Sequence, residues 1–123
     1  MLALLPGRDA ARRDQVVVVG AHYDHLGYGG EGSGSLAPDA HAIHHGADDN
    51  ASGTAGMLEI ARSLAPDPPA RTVLFAAFAG EEEGLLGSSH LMQHLPVAKE
   101  RIVAMVNLDM VGRPKAGPAL TLG

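Results

Sequence analysis

The 123-residue sequence contains no cysteine. That excludes a disulfide framework, thiolate metal sites and thiol nucleophiles. Basic residues are scarce: 9 Lys+Arg stand against 14 Asp+Glu, for a net charge of −5. With no basic patch to build from, neither nucleic acid nor a membrane surface is an expected partner. No apolar run approaches the roughly 18 residues of a membrane span. The longest, residues 16–19 and 73–79, are strand-sized. Residues 1–8 lack the basic start and apolar stretch of a secretory signal, and Pro6-Gly7 would break one. No G-x-S-x-G is present, so a serine hydrolase lacks its first residue. Residues 27–32 match G-x-G-x-x-G, but no helical pattern opens after them, as a dinucleotide site requires.

What is present alternates between two kinds of segment. Residues 15–21 (QVVVVGA), 72–79 (TVLFAAFA) and 102–108 (IVAMVNL) are continuously apolar, as strands buried on both faces are. Residues 1–5 and 119–122 suggest shorter strands. Between them, residues 52–65 place Met57, Leu58, Ala61, Leu64 and Ala65 on one side and Glu59, Arg62 and Ser63 on the other, an amphipathic helix. Asp49, Asn50 and Ser52 are capping types at its start, and Pro66 closes it. Residues 85–95 form a second, shorter helical pattern ended by Pro96. This alternation predicts an α/β fold of one domain, with right-handed crossovers and a mostly parallel sheet. Residues 25–46 form a long loop rich in Gly, Ser and Ala, of the kind that is functional or mobile.

Half of the fourteen acidic residues are Asp24, Asp48, Asp49, Glu81, Glu82, Glu83 and Asp109. Each strand-like run is followed at once by part of this set: His22-Tyr23-Asp24, then Gly80-Glu81-Glu82-Glu83, then Asp109. Ligands of open α/β sheets bind beyond the carboxyl ends of the strands. Parallel strands therefore bring these residues to one rim, and Asp49, ahead of the first helix, reaches it too. Clustered carboxylates repel one another unless a cation holds them, and imidazole with carboxylates and no thiolate suits zinc or another borderline divalent ion. Other residues have plainer readings. Glu83 suits solvent or a helix start. His41, His44 and His45 suit a solvated loop, and His90 and His94 a helix surface.

The blocks VVVVGAHYDHLG, HHGADDNASGTA, FAGEEEGLLGS and VNLDMVGR resemble the co-catalytic zinc aminopeptidases of peptidase family 28, the bacterial leucyl aminopeptidase type. They occur in the family's order between His22 and Arg113. The resemblance implies a three-layer α/β/α sandwich around a mixed sheet, incomplete on its C-terminal side in this chain. It implies two zinc ions, with His22 and Asp109 on one, Glu82 on the other and Asp49 bridging them. It also implies Glu81 as general base, Asp24 as the carboxylate that orients His22, and a cis peptide between Asp49 and Asn50.

The residue types suit these roles. A ligating histidine donates its second N–H to a carboxylate, which fixes its tautomer, and Asp24 is two residues from His22, one strand period. A carboxylate can bridge two metals roughly 3.5–4 Å apart. Metal-bound water has a pKa of about 7. A neighbouring glutamate can take its proton, direct hydroxide at a peptide carbonyl and return the proton to the leaving amine. The expected substrate is a peptide cleaved at its N-terminal bond. Related alternatives are a carboxypeptidase acting on acidic dipeptides, for which Arg113 is a candidate carboxylate contact, and a single-zinc cyclase. A non-catalytic fragment that keeps the fold and one zinc site is the alternative of another kind.

In the family the second zinc also takes a histidine far downstream, beyond Gly123. The chain by itself is accordingly expected to keep one tight zinc site and to be weakly active or inactive. Asp49 and Glu82 would be alone at the second site unless His44 or His45 swings in. Self-association through an exposed sheet edge is a further expectation. Family members are commonly secreted or periplasmic, and the sequence itself assigns no compartment.

Overall fold

The computed structural model describes residues 1–113; the strand expected at residues 119–122 lies outside them. β-Branched residues at consecutive positions put apolar bulk on both faces of a strand, and only the middle of a sheet covers both. The valine run obeys this rule. Four strands form one sheet: β1 (Leu2–Leu5), β2 (Val16–His22), β3 (Thr72–Phe78) and β4 (Ile102–Asn107). Their order is β1-β3-β2-β4. β2 runs parallel to both β3 and β4, while β1 joins β3 antiparallel. The sheet is thus mixed, with the three strands that precede the acidic motifs side by side and pointing the same way.

Two helices cover the two faces, giving the α/β layering. Helix α1 (Gly53–Leu64) lays Met57, Ile60, Ala61 and Leu64 on Val19, Ala21, Val73 and Phe75. Helix α2 (Leu86–Gln93) sets Leu91 on the opposite face, against Val16, Val18, Leu74, Ala76 and Phe78. One detail of the helix pattern is corrected. Leu58 and Ala65 were expected on the packed side but both are exposed, Leu58 by 60 %, and Ile60 joins the packed stripe. The sheet is narrow here, so Leu58 overhangs a groove beside β1, together with Met1, Leu2 and Tyr23.

The sheet is not equally covered across its width. β2 and β3 are almost wholly buried, whereas on β4 Val103, Met105 and Val106 are each about half exposed. Among the described residues β4 pairs only with β2 and forms an edge. Residues 27–32 belong to a loop in which Gly27, Gly29, Gly30 and Gly32 all have positive φ, and no helix opens there.

Candidate metal centre

The rim begins where β2 ends. His22 is the last residue of that strand and only 2 % exposed. Its carbonyl accepts a hydrogen bond from the Thr54 hydroxyl at 2.9 Å, which ties the strand end to the first turn of α1. Nε2 of the buried ring lies 3.2 Å from Asp49 Oδ1 and 3.6 Å from Asp109 Oδ2. The donor atoms of His22, Asp49 and Asp109 all fall within 4.8 Å of one another. Three separate chain segments therefore deliver one imidazole and two carboxylates to one point. That set and spacing fit a divalent cation of the zinc type.

Asp49 reaches this point through an irregular turn. Residues Ala47–Ser52 form a kinked turn before α1, with Asp49 and Asn50 out of helical conformation and the Asp49–Asn50 peptide cis. The capping expectation is corrected here. Asp49 turns to His22 instead of capping the helix, and the Ser52 hydroxyl donates to the Asp48 carbonyl at 2.6 Å. Only Asn50 caps: its Oδ1 accepts the Gly53 N–H at 3.1 Å.

Asn50 does more than cap. It is 1 % exposed; its Nδ2 donates to the Leu108 carbonyl at 3.0 Å, and its Oδ1 also accepts the Met110 N–H at 3.2 Å. One buried amide thus joins the turn carrying Asp49 to the turn carrying Asp109. Gly53 permits the approach, since a Cβ there would run into the Leu108 carbonyl oxygen and the Asn50 side chain. Asp48 adds a second tie by accepting the Gly112 N–H at 3.0 Å.

The third motif follows β3. Gly80 adopts φ +66°, a region unfavourable to residues with a Cβ, and turns the chain so that Glu81 and Glu82 diverge. Glu81 faces a cleft of about 210 Å³ that it lines with His22, Phe78, Asn107 and Asp109. Burial pushes its carboxyl above the usual carboxylate range. His22 opposes that rise, and repulsion from Glu82, Asp109 and Asp49 adds to it. Glu82 points the other way, and its Oε1 lies 2.9 Å from His25 Nδ1.

His25 is the residue that sequence reasoning missed. His25, Asp49 and Glu82 bring donor atoms within 4.8 Å of one another, forming a second three-donor group that shares Asp49 with the first. The expectation named Asp49 and Glu82, with His44 or His45 as the reserve; of these histidines His44 is not brought to the rim. His44 is held inside its own loop: its Nε2 lies 2.7 Å from the Ser35 hydroxyl and its Nδ1 3.0 Å from the Ala42 carbonyl. The clue to His25 was its place in the first motif, three residues after His22, but the two-residue strand period does not extend past the end of β2.

Asp24 sits behind His22. Its backbone carbonyl is 3.2 Å from His22 Nδ1, and its carboxylate Oδ1 is 3.6 Å away. The carbonyl is therefore the nearer partner of the ring, and the carboxylate stands just beyond hydrogen-bond reach. Asp24 Oδ1 is buried without a hydrogen-bond partner, while Oδ2 accepts the Glu82 N–H at 3.4 Å. His90 and His94, on the far side of the sheet, stack on each other with ring centroids 4.2 Å apart and are exposed.

The chain is similar to known proteins along most of its length. The chain is 43 % identical over 108 residues to a probable zinc metalloprotease of Pyrenophora tritici-repentis, covering 88 % of this chain and 23 % of that protein. It is 37 % identical over 125 residues to a probable leucine aminopeptidase of Arthroderma otae, covering 97 % of this chain and 31 % of that one. An aminopeptidase of Pseudomonas aeruginosa is 40 % identical over 105 residues, 85 % of this chain and 17 % of its own length. The chain thus spans less than a third of the length of each of these relatives. The sequence model of peptidase family M28 matches residues 1–122, through all the segments that meet at the rim, and the chain belongs to that family.

Proposed function

We propose that this chain carries the metal-binding and proton-transfer residues of a zinc peptidase that removes the N-terminal residue of a peptide. The observation that carries the reading is the convergence of His22, Asp49 and Asp109, from the ends of two strands and the turn before a helix, on one cation-sized point. The relatives described as a zinc metalloprotease and as aminopeptidases support the chemistry and the direction of cleavage. His22, Asp49 and Asp109 hold one ion, and Glu82 and Asp49 contribute to a second. Bound there, divalent ions supply Lewis acidity towards a peptide carbonyl and acidify water.

The remaining steps belong to the chain. Glu81, beside His22 and Asp109 in the cleft, accepts the proton of the attacking water and passes it to the leaving amine. Its raised pKa suits a group that must both take and give a proton. Asp24, through its backbone carbonyl, holds the His22 ring with Nε2 towards the cation. Phe78, Leu85 and Met105 line the apolar part of the cleft.

Zinc content per chain, measured with hydrolysis of an aminoacyl-anilide by a protein of the relatives' length that contains this segment, tests the reading. Bound zinc with release of the amine supports it. A chain that retains no zinc at micromolar concentration overturns it.

A further inference from the structure

We propose that His25 is a positioning residue for Glu82: its Nδ1–H holds one oxygen of that carboxylate and leaves the other free for a cation. The proposal rests on the reading that Glu82 contributes to a second ion.

Three observations carry it. The first is the length of the contact. His25 Nδ1 lies 2.9 Å from Glu82 Oε1, inside the usual range of an N–H···O hydrogen bond. Two donors bound to one zinc at about 2.0–2.1 Å sit roughly 3.3 Å apart in a tetrahedron. The contacts of His22 Nε2 with Asp49 and Asp109, at 3.2 Å and 3.6 Å, have that wider spacing. An ionised carboxylate only accepts, so the imidazole nitrogen facing it carries the proton. A nitrogen that donates its proton has no lone pair for a metal.

The second is what else holds Glu82. Asp49 and Asp109 are short side chains on turns that Asn50 joins. A glutamate is longer by one rotatable bond, and any freedom left in it is lost when a cation binds. Asp24 Oδ2 accepts the Glu82 backbone N–H at 3.4 Å, and among the described residues His25 alone is hydrogen-bonded to the Glu82 carboxylate. Two adjacent residues thus hold the backbone and the side chain of Glu82 across 58 and 57 residues of chain.

The third is the seat of the ring. Gly46, at φ +60°, packs its backbone against His25, and a Cβ there would come within 2.7 Å of His25 Cγ and 2.6 Å of the Asp49 carbonyl oxygen. The imidazole is therefore wedged between the turn carrying Asp49 and the carboxylate of Glu82. The His25 and Glu82 side chains are only 22 % and 20 % exposed, so little water competes for their hydrogen bond.

The competing role for His25 is that of a direct ligand, and the experiment separates the two. In a protein of the relatives' length that contains this segment, a chelator withdraws zinc from the parent, His25→Ala and His25→Asn. Asparagine can place a side-chain N–H near the position of Nδ1. His25→Ala is expected to release one of two ions about 10–100-fold more readily, the cost of losing a supporting partner, and to hold the other unchanged. His25→Asn is expected to hold both nearly as the parent does. An alanine variant that holds both ions as the parent does overturns the proposal, and so does an asparagine variant no better than alanine.

Cadmium-113 and nitrogen-15 spectra of the cadmium-loaded parent need no variant to fold. His25 Nδ1 is expected to keep its proton and to show no coupling to cadmium; a His25 nitrogen coupled to cadmium overturns the proposal. Failure of either test in a parent that binds two ions leaves the proposed function standing. A parent that binds one ion, at the His22 site, removes the role of Glu82 and this proposal with it; a parent that binds none refutes the proposed function as well.

Discussion

The two imidazoles at the rim are three residues apart and held in different ways. His22 ends a strand that is buried on both faces; its backbone is fixed by the ladder to β3, where it pairs with Phe78, and by Thr54, and its ring is enclosed. His25 lies past the strand, partly exposed, and its ring is held by one carboxylate and by the backbone of Gly46. The sheet places the first ligand before any cation arrives, so little ordering entropy remains to be lost on binding. The second imidazole sits in a loop and depends on its neighbours. His22 is accordingly expected to be the better prepared of the two imidazoles to hold a cation.

The largest expected effect tests whether this contrast concerns metal alone. Glu81→Gln, in a protein of full family length containing this segment, should lower hydrolysis of an aminoacyl-anilide by about a hundred- to ten-thousand-fold, the range for a lost general base. Zinc content should stay near that of the parent, because glutamine keeps the shape and gives up only the proton acceptor. Metal analysis alongside the rate checks both halves, and loss of zinc would instead make Glu81 a ligand.

Next comes the anchored side itself. His22→Ala should weaken the first cation by more than about a hundredfold, beyond what losing a supporting partner costs. Chelator competition measures it.

The third expectation concerns Asn50, which aligns the carboxylates of the His22 side. Asn50→Ala removes the partners of the Gly53 N–H, the Met110 N–H and the Leu108 carbonyl. A loss of roughly 1–3 kcal/mol in stability is expected from buried groups left unpaired, read as a lower urea midpoint. The first cation should weaken with it, because Asp49 and Asp109 lose their common tie.

The smallest effect is one of pH. Glu81 has a folded-state pKa above its unfolded value, chiefly through burial. Its contribution to stability is complete below the unfolded pKa and is lost as pH rises through the folded one. The uncharged glutamine of Glu81→Gln does not titrate. In metal-free solution the variant should therefore gain on the parent as pH rises across that window, and the gap should stay constant above it. Urea midpoints from about pH 4, near the ordinary pKa of a glutamate, up to neutrality follow the difference.

Most of the site was legible because each motif directly follows an apolar run. Parallel pairing turns that linear rule into a shared rim, and His22, Asp49 and Asp109 meet there. The antiparallel pairing of β1 was not legible, since a four-residue apolar run is compatible with either direction. Nor was the outward turn of Leu58, because helical periodicity marks a stripe without saying how wide a sheet lies beneath it.

The sequence by itself determined the alternation of strand and helix, the excess of carboxylate over base and the donor types at the strand ends. All of these are local properties, set by burial preference, spacing and side-chain chemistry. Only the tertiary structure decided that Asn50 joins two turns 58 residues apart, that His44 is occupied by Ser35, and that His25 meets Glu82 across 57 residues. Each of those contacts depends on where a loop lands after the chain leaves a strand. Past the last residue of β2 neither the strand period nor the helical one constrains a side chain, so its neighbours are set by packing.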